Sequence, residues 1–137
     1  MQPETIVLDG CSLSWRELEL VLSGRPVHIE LSEVAEQQMR VVRAAALNNL
    51  DSNPDLRVYG WNQALGPLKD QPLSPAEQRA FQRNVLRSHH AGIGRYLPEH
   101  VARLALIIRA NTLARGTAGV RPELVPVSYT HLTLPTK

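Results

Sequence analysis

The stretch Val58-Tyr59-Gly60-Trp61-Asn62-Gln63-Ala64-Leu65-Gly66-Pro67, followed by Ser74-Pro75-Ala76-Glu77 and closing on Arg87-Ser88-His89-His90-Ala91-Gly92-Ile93-Gly94, decides how this chain is read. Its first ten residues hold two glycines and a proline and follow neither the helical nor the strand period, so they form a loop. Loops are normally polar. One that carries Tyr59, Trp61 and Leu65 is expected either to plug the local core or to fold over something. Ser74 to Glu77 is a capping box with proline at the first helical position, which starts a helix at Pro75. At four-residue spacing Phe81, Val85 and His89 share one face of that helix, while Arg79, Arg83 and His90 lie on another. His89 is therefore expected to continue the apolar face inward and His90 the solvated one. Neighbouring residues on a helix point about 100° apart, so the two imidazoles are poorly placed to chelate one ion, and no metal site is expected. On helix pattern alone, an inward histidine reads as a hydrogen-bonded core residue.

Upstream, Thr5 to Leu8 is a short apolar run suited to an edge strand. Ser14 and Glu17 form a second capping box that opens a helix, which ends at Gly24 before Pro26. Val27, Ile29 and Leu31 alternate with His28 and Glu30, which is strand periodicity and turns His28 outward. A further helix follows Ser32 and runs to the turn-rich Asn48-to-Pro54 segment. Downstream, Gly92 and Gly94 stop the capped helix, and Pro98 opens another from Glu99 to Arg115. There Val101, Leu104, Ala105, Ile108 and Thr112 make one face, yet Leu106, Ile107 and Leu113 are apolar too. A helix apolar on more than one side expects neighbours on more than one side. Few are available here, so the chain is expected to be a piece of something larger.

At 137 residues, 43% hydrophobic and 20% charged, the chain has the composition of an ordinary soluble domain. No window approaches the apolar length of a membrane span, and the first residues lack a secretory signal, so a cytoplasmic location without membrane contact is expected. The lone Cys11 excludes an internal disulfide and a thiol zinc site. The net charge is only +2, and the arginines are interspersed with carboxylates; solvated helix faces are expected rather than a nucleic-acid surface.

Three motifs, in order, carry a resemblance: Tyr59-Gly60-Trp61-Asn62, then Ser88-His89-His90-Ala91-Gly92-Ile93-Gly94, then Asn111-Thr112-Leu113-Ala114-Arg115-Gly116-Thr117-Ala118-Gly119-Val120-Arg121. Together they resemble the N-terminal part of the aromatic amino acid ammonia-lyases, most closely the histidine-specific members, over residues 5 to 126. The resemblance implies a mainly α fold, the N-terminal part of the ammonia-lyase helical fold, with a lead-in of two short strands. It implies a homotetramer acting on a small-molecule amino acid, with ammonia eliminated non-oxidatively from L-histidine to give urocanate, or from a related aromatic amino acid. The electrophile in such enzymes is a methylidene-imidazolone (MIO) formed from an internal Ala-Ser-Gly, with no metal. Tyr59 matches the loop tyrosine that takes the β-proton. A phenol of reference pKa about 10 is a poor base at neutral pH, so the site must lower that value. His89 matches the pocket histidine, and Ser88-His89 is the pair of the histidine-specific members. A buried imidazole that bonds a polar substrate ring discriminates better than an apolar wall. Gly66 matches a glycine that lets the lid backbone approach the substrate.

Several features depart from the family pattern. Gln63, Ala64 and Leu65 replace the Thr-Gly-Phe of the usual lid, and His90 replaces a small residue. No Ala-Ser-Gly occurs in the chain. From Val127 the sequence Val-Ser-Tyr-Thr-His-Leu-Thr-Leu-Pro-Thr-Lys reads like one frame of a translated transposon-type sequencing adapter. Residues 1–126 are therefore expected to be an N-terminal lyase fragment, and residues 127–137 a non-native tail. Without the electrophile, the chain as written is expected to be inactive. Three alternatives stay open: an aromatic amino acid 2,3-aminomutase of the same superfamily, a non-catalytic helical interaction module using the stripe Arg79, Arg83 and Arg87, and a degenerate homologue with an altered lid. The motifs leave the choice of amino acid open as well.

Overall fold

The computed structural model describes residues 3–133. Helices dominate, after a lead-in of two short strands, and the chain divides into two compact units. One comprises the residues up to Asn48 together with those from Tyr96 onward, and the other is Asn49–Arg95.

The first unit begins as a β-α-β crossover. Strand β1 (Glu4–Leu8) and strand β2 (Val27–Leu31) pair in parallel with Ile6 opposite Ile29. Parallel neighbours need a crossover, and α1 (Trp15–Leu22) supplies it, started by the Ser14–Glu17 capping box. The alternation in β2 holds: Ile29 is buried, while His28 and Glu30 face solvent and pair at 2.9 Å. Helix α2 (Glu33–Ser52) starts where Ser32 Oγ accepts the Ala35 N–H at 3.1 Å. It runs four residues beyond the turn-rich point at Asn48, because asparagine and aspartate weaken a helix without breaking it. Pro54 disfavours helical backbone at the residue before it, and there the helix is over.

Helix α4 (Glu99–Ala114), apolar on more than one side in its sequence, buries one of them. The buried side is Ile107, Ala110, Leu113 and Ala114, whereas Val101, Ala105, Ile108 and Thr112 are exposed. Both sides are apolar, so periodicity alone does not choose between them. Packing does: α4 lies against β1, α1 and α5 (Leu124–Thr133), and the two alanines on that side let backbones approach closely. The core is completed by Val21, Ala35, Met39 and Val125. The boundary expected between Pro126 and Val127 falls inside α5; the remainder of the expected tail, 134–137, lies outside the described residues.

The second unit holds the Tyr59 loop, a single 3-10 turn at Gly66–Leu68, and α3 (Pro75–His89). Ser74 caps α3 through the expected box with Glu77. Ala64, 2% exposed, is the one buried hydrophobic side chain among the described residues of this unit.

Candidate active site

All four residues singled out for chemistry, Tyr59, Gly66, Ser88 and His89, fall in the second unit. The loop that carries Tyr59 lacks regular structure but is densely bonded. Trp61 N–H donates to the Val58 carbonyl at 3.0 Å, Ala64 N–H to Gln71 at 3.1 Å, and Leu73 N–H to Asn62 at 2.8 Å. The Asn62 side chain bridges Val58 N–H and the Leu56 carbonyl. Within this frame Tyr59 is 59% exposed, and its hydroxyl accepts the Gly66 N–H at 3.4 Å. Gly66 has φ +62°, a backbone that side chains rarely adopt, and it opens the 3-10 turn; its N–H thus lies on the oxygen that would carry charge in a phenolate.

The end of α3 forms a second local cluster. Ser88 Oγ donates to the Val85 carbonyl at 3.1 Å and lies 3.0 Å from His89 Nδ1, which is itself 2.9 Å from the Val85 carbonyl. A carbonyl only accepts, so Nδ1 carries the proton and Nε2 is the acceptor of the neutral ring. The expected inward placement of His89 is not what the structure shows. Gln78, Phe81 and Val85 are half-buried, but His89 on the same face is exposed, as is every residue from 90 to 100. The last turn of α3, Leu86-Arg87-Ser88-His89, is exposed throughout.

Gln82, midway along α3, donates to the Gly60 carbonyl at 3.3 Å and ties the loop to the helix. Seven residues separate Gln82 from His89, which is about 10 Å along the axis at 1.5 Å per residue. Tyr59 is thereby brought to Gly66, and Ser88 to His89; among the described residues no hydrogen bond joins one pair to the other. Sequence reading missed the two residues that hold the loop. Asn62 carried a signal, since asparagine in a glycine-containing loop is a side chain that bonds nearby backbone. Gln82 carried none.

The third motif does its work elsewhere, inside the first unit. Asn111 Oδ1 accepts the Gly10 N–H at 2.9 Å, and Arg43 donates to the Gly119 carbonyl at 2.8 Å. It locks the loop after β1 and the turn after α4. Among the described residues no group of three or more His, Cys, Asp or Glu is arranged to hold a metal ion, and no helix is long and apolar enough to cross a membrane.

Comparison with solved structures places this fold. An ergothionase from Treponema denticola, an ergothioneine-degrading enzyme, superposes with a TM-score of 0.83 at 26% identity, covering 94% of this chain and 25% of that one. Histidine ammonia-lyase from Trypanosoma cruzi gives 0.80 at 29% identity, over 93% and 24%. A tyrosine aminomutase from Streptomyces globisporus gives 0.78 at 23%, over 96% and 24%, a likeness of fold alone. The architecture is that of the ammonia-lyase helical proteins. In sequence, residues 13–133 match the family described as aromatic amino acid lyase. The chain is 38% identical over 122 residues to a probable histidine ammonia-lyase of Thermoplasma volcanium, covering 88% of this chain and 24% of that protein. It is 34% identical over 124 residues to histidine ammonia-lyase of Bradyrhizobium diazoefficiens, covering 90% and 23%. This chain belongs to the aromatic amino acid lyase family, and it spans about a quarter of the length of the curated relatives it matches.

Proposed function

We propose that this chain supplies the base and part of the substrate pocket of a carbon–nitrogen lyase that eliminates ammonia from L-histidine, to give urocanate, or from a related aromatic amino acid. The observation that carries the reading is the braced loop presenting Tyr59 beside the Gly66 N–H, in the same unit as the Ser88–His89 pair, within a chain of this family. Tyr59 as phenolate takes the β-proton, the Cβ–H electron pair becomes the Cα=Cβ bond, and the Cα–N bond breaks with its electron pair going to nitrogen, so that the α-ammonium group departs as ammonia. The Gly66 N–H steadies the phenolate, and Gly66 gives the lid backbone room to meet the substrate. His89 presents Nε2 as an acceptor for a polar ring N–H of the substrate, with Ser88 fixing the imidazole. The parent protein on this reading is a cytoplasmic homotetramer.

The methylidene-imidazolone of the family would make the amino group a competent leaving group. The residues present do not form it. The chain has no Ala-Ser-Gly, and its one Ser-Gly pair, Ser23-Gly24, is the closing turn of α1, where Ser23 Oγ is spent on the Leu20 carbonyl at 2.8 Å. The 137-residue chain by itself is therefore expected to release no ammonia.

The test uses the full-length enzyme that carries this segment. Tyr59→Phe should lower turnover of L-histidine by at least about 100-fold, the low end for loss of a general base, with the circular dichroism of the fold unchanged. Turnover within a few-fold of the parent would remove Tyr59 as the base. In the same assay His89→Leu should shift preference from histidine toward phenylalanine or tyrosine. An aminomutase would instead yield a β-amino acid, and product analysis distinguishes the two.

A further inference from the structure

We infer that Asn62 is the positioning residue that aims Tyr59 for proton abstraction; the inference rests on the reading of Tyr59 as the base. Both ends of the Asn62 amide are engaged: Oδ1 accepts the Val58 N–H at 2.7 Å, and Nδ2 donates to the Leu56 carbonyl at 2.6 Å. The main chain closes on the same residue. Asn62 N–H donates to the Val58 carbonyl at 3.2 Å, and the Asn62 carbonyl accepts the Leu73 N–H at 2.8 Å, one residue before the Ser74 cap of α3. Four bonds thus converge on a residue three positions past Tyr59, and they clasp the chain on both sides of it.

Tyr59 itself is held by little. Its hydroxyl makes one long contact, 3.4 Å from the Gly66 nitrogen, and the side chain is largely exposed. The direction of the ring is consequently set by the backbone that bears it, which Asn62 closes with four bonds and Gln82 steadies with one to the Gly60 carbonyl. Few side chains can replace it. Aspartate would turn a carboxylate oxygen toward the Leu56 carbonyl, two acceptors face to face, and alanine would leave both backbone groups without this partner. Threonine retains one hydrogen-bonding group at shorter reach.

Proton transfer from carbon tolerates misplacement poorly; about 1 Å costs about 100-fold in rate. Substrate binding, by contrast, draws on Ser88 and His89 at the far end of α3. Loss of the clasp should therefore depress kcat and spare KM.

The experiment compares Asn62→Ala, Asn62→Asp and Asn62→Thr in the full-length enzyme, with L-histidine and its β-dideuterated form as substrates. For Ala and Asp, kcat should fall by about 100-fold with KM within about threefold, and Thr should lie between them and the parent. The deuterium effect on kcat should rise, because proton removal becomes the slow step. A merely structural role would lower the amount of active enzyme and leave the isotope effect where it was. An unchanged isotope effect in Asn62→Ala, whether or not kcat falls, overturns the inference; if that variant does not fold, Asn62→Thr is held to the same criterion. Tyr59→Phe run in parallel separates the two levels. Retained turnover there removes the base itself, whereas its loss beside Asn62 variants with an unchanged isotope effect removes only the clasp.

Discussion

Gly10 shows how much can rest on one missing side chain. Its φ is +86°, and a Cβ built there would lie 2.5 Å from the backbone nitrogen of Arg115. The same residue donates its N–H to Asn111, so the turn after β1 and the end of α4 interlock through two residues 101 positions apart. Gly10→Ala is expected to cost more than about 1 kcal/mol of stability, from backbone strain before any displacement of α4, and chemical unfolding measures it. Next to it, Asp9 accepts the backbone N–H groups of Ser12 and Cys11, each at 2.7 Å, and these hold its carboxyl below the ordinary value of 3.8. A depressed folded value means that the contribution of Asp9 is present above the unfolded value and lost as pH falls through the folded one. Carbon-detected NMR titration should give a midpoint below 3.8, and a midpoint at or above it would contradict this geometry. At this scale the sequence named Tyr59, Gly66, Ser88 and His89 as candidates through their motifs. Asn62 left a local trace as an asparagine in a glycine-containing loop, but the bond from Gln82 to the Gly60 carbonyl 22 positions away left none.

Helix α4 carries the clearest disagreement between pattern and packing. Ile107 is 1% exposed and its neighbour Ile108 is 44% exposed, although they are chemically the same residue. Ile107→Ala should destabilise the chain by about 2–5 kcal/mol, the range for emptying a packed aliphatic site. Ile108→Ala should change it by less than about 0.5 kcal/mol, as at a surface position. Thermal unfolding of the two variants checks the assignment, and equal losses would mean that the buried face has been misjudged. Helix α3 behaved differently. Its start was legible because Ser74, Pro75 and Glu77 act on their own backbone, and a cap needs no partner from elsewhere in the chain. Its end was not, because whether His89 is covered depends on what packs against it.

The molecule as a whole is unevenly built. The first unit has a continuous apolar core running from Ile6 and Leu8 to Val125, while the second has Ala64 as its one buried hydrophobic side chain among the described residues. Regions with little buried apolar contact open most readily, so hydrogen exchange should be slowest in β1, β2 and the buried side of α4 and fast throughout the Tyr59 loop and α3. Comparable protection in the two units would overturn that ordering. Everything proposed for catalysis sits in the weakly buried unit, which is the part of such a chain that would gain most from further protein packed upon it.

The sequence by itself determined the order and kind of the two strands and of helices α1 to α4, the capping boxes at Ser14 and Ser74, the outward turn of His28 and the membership of the family, because each is written in residues close together along the chain or in motifs compared as strings. Only the tertiary structure decided which face of α4 is buried, that His89 is exposed, and that Asn62 closes the loop around Tyr59. Local propensity acts within a turn or two of helix, whereas burial and loop closure depend on which surfaces meet, and two apolar faces of one helix are equivalent until a neighbour takes one of them.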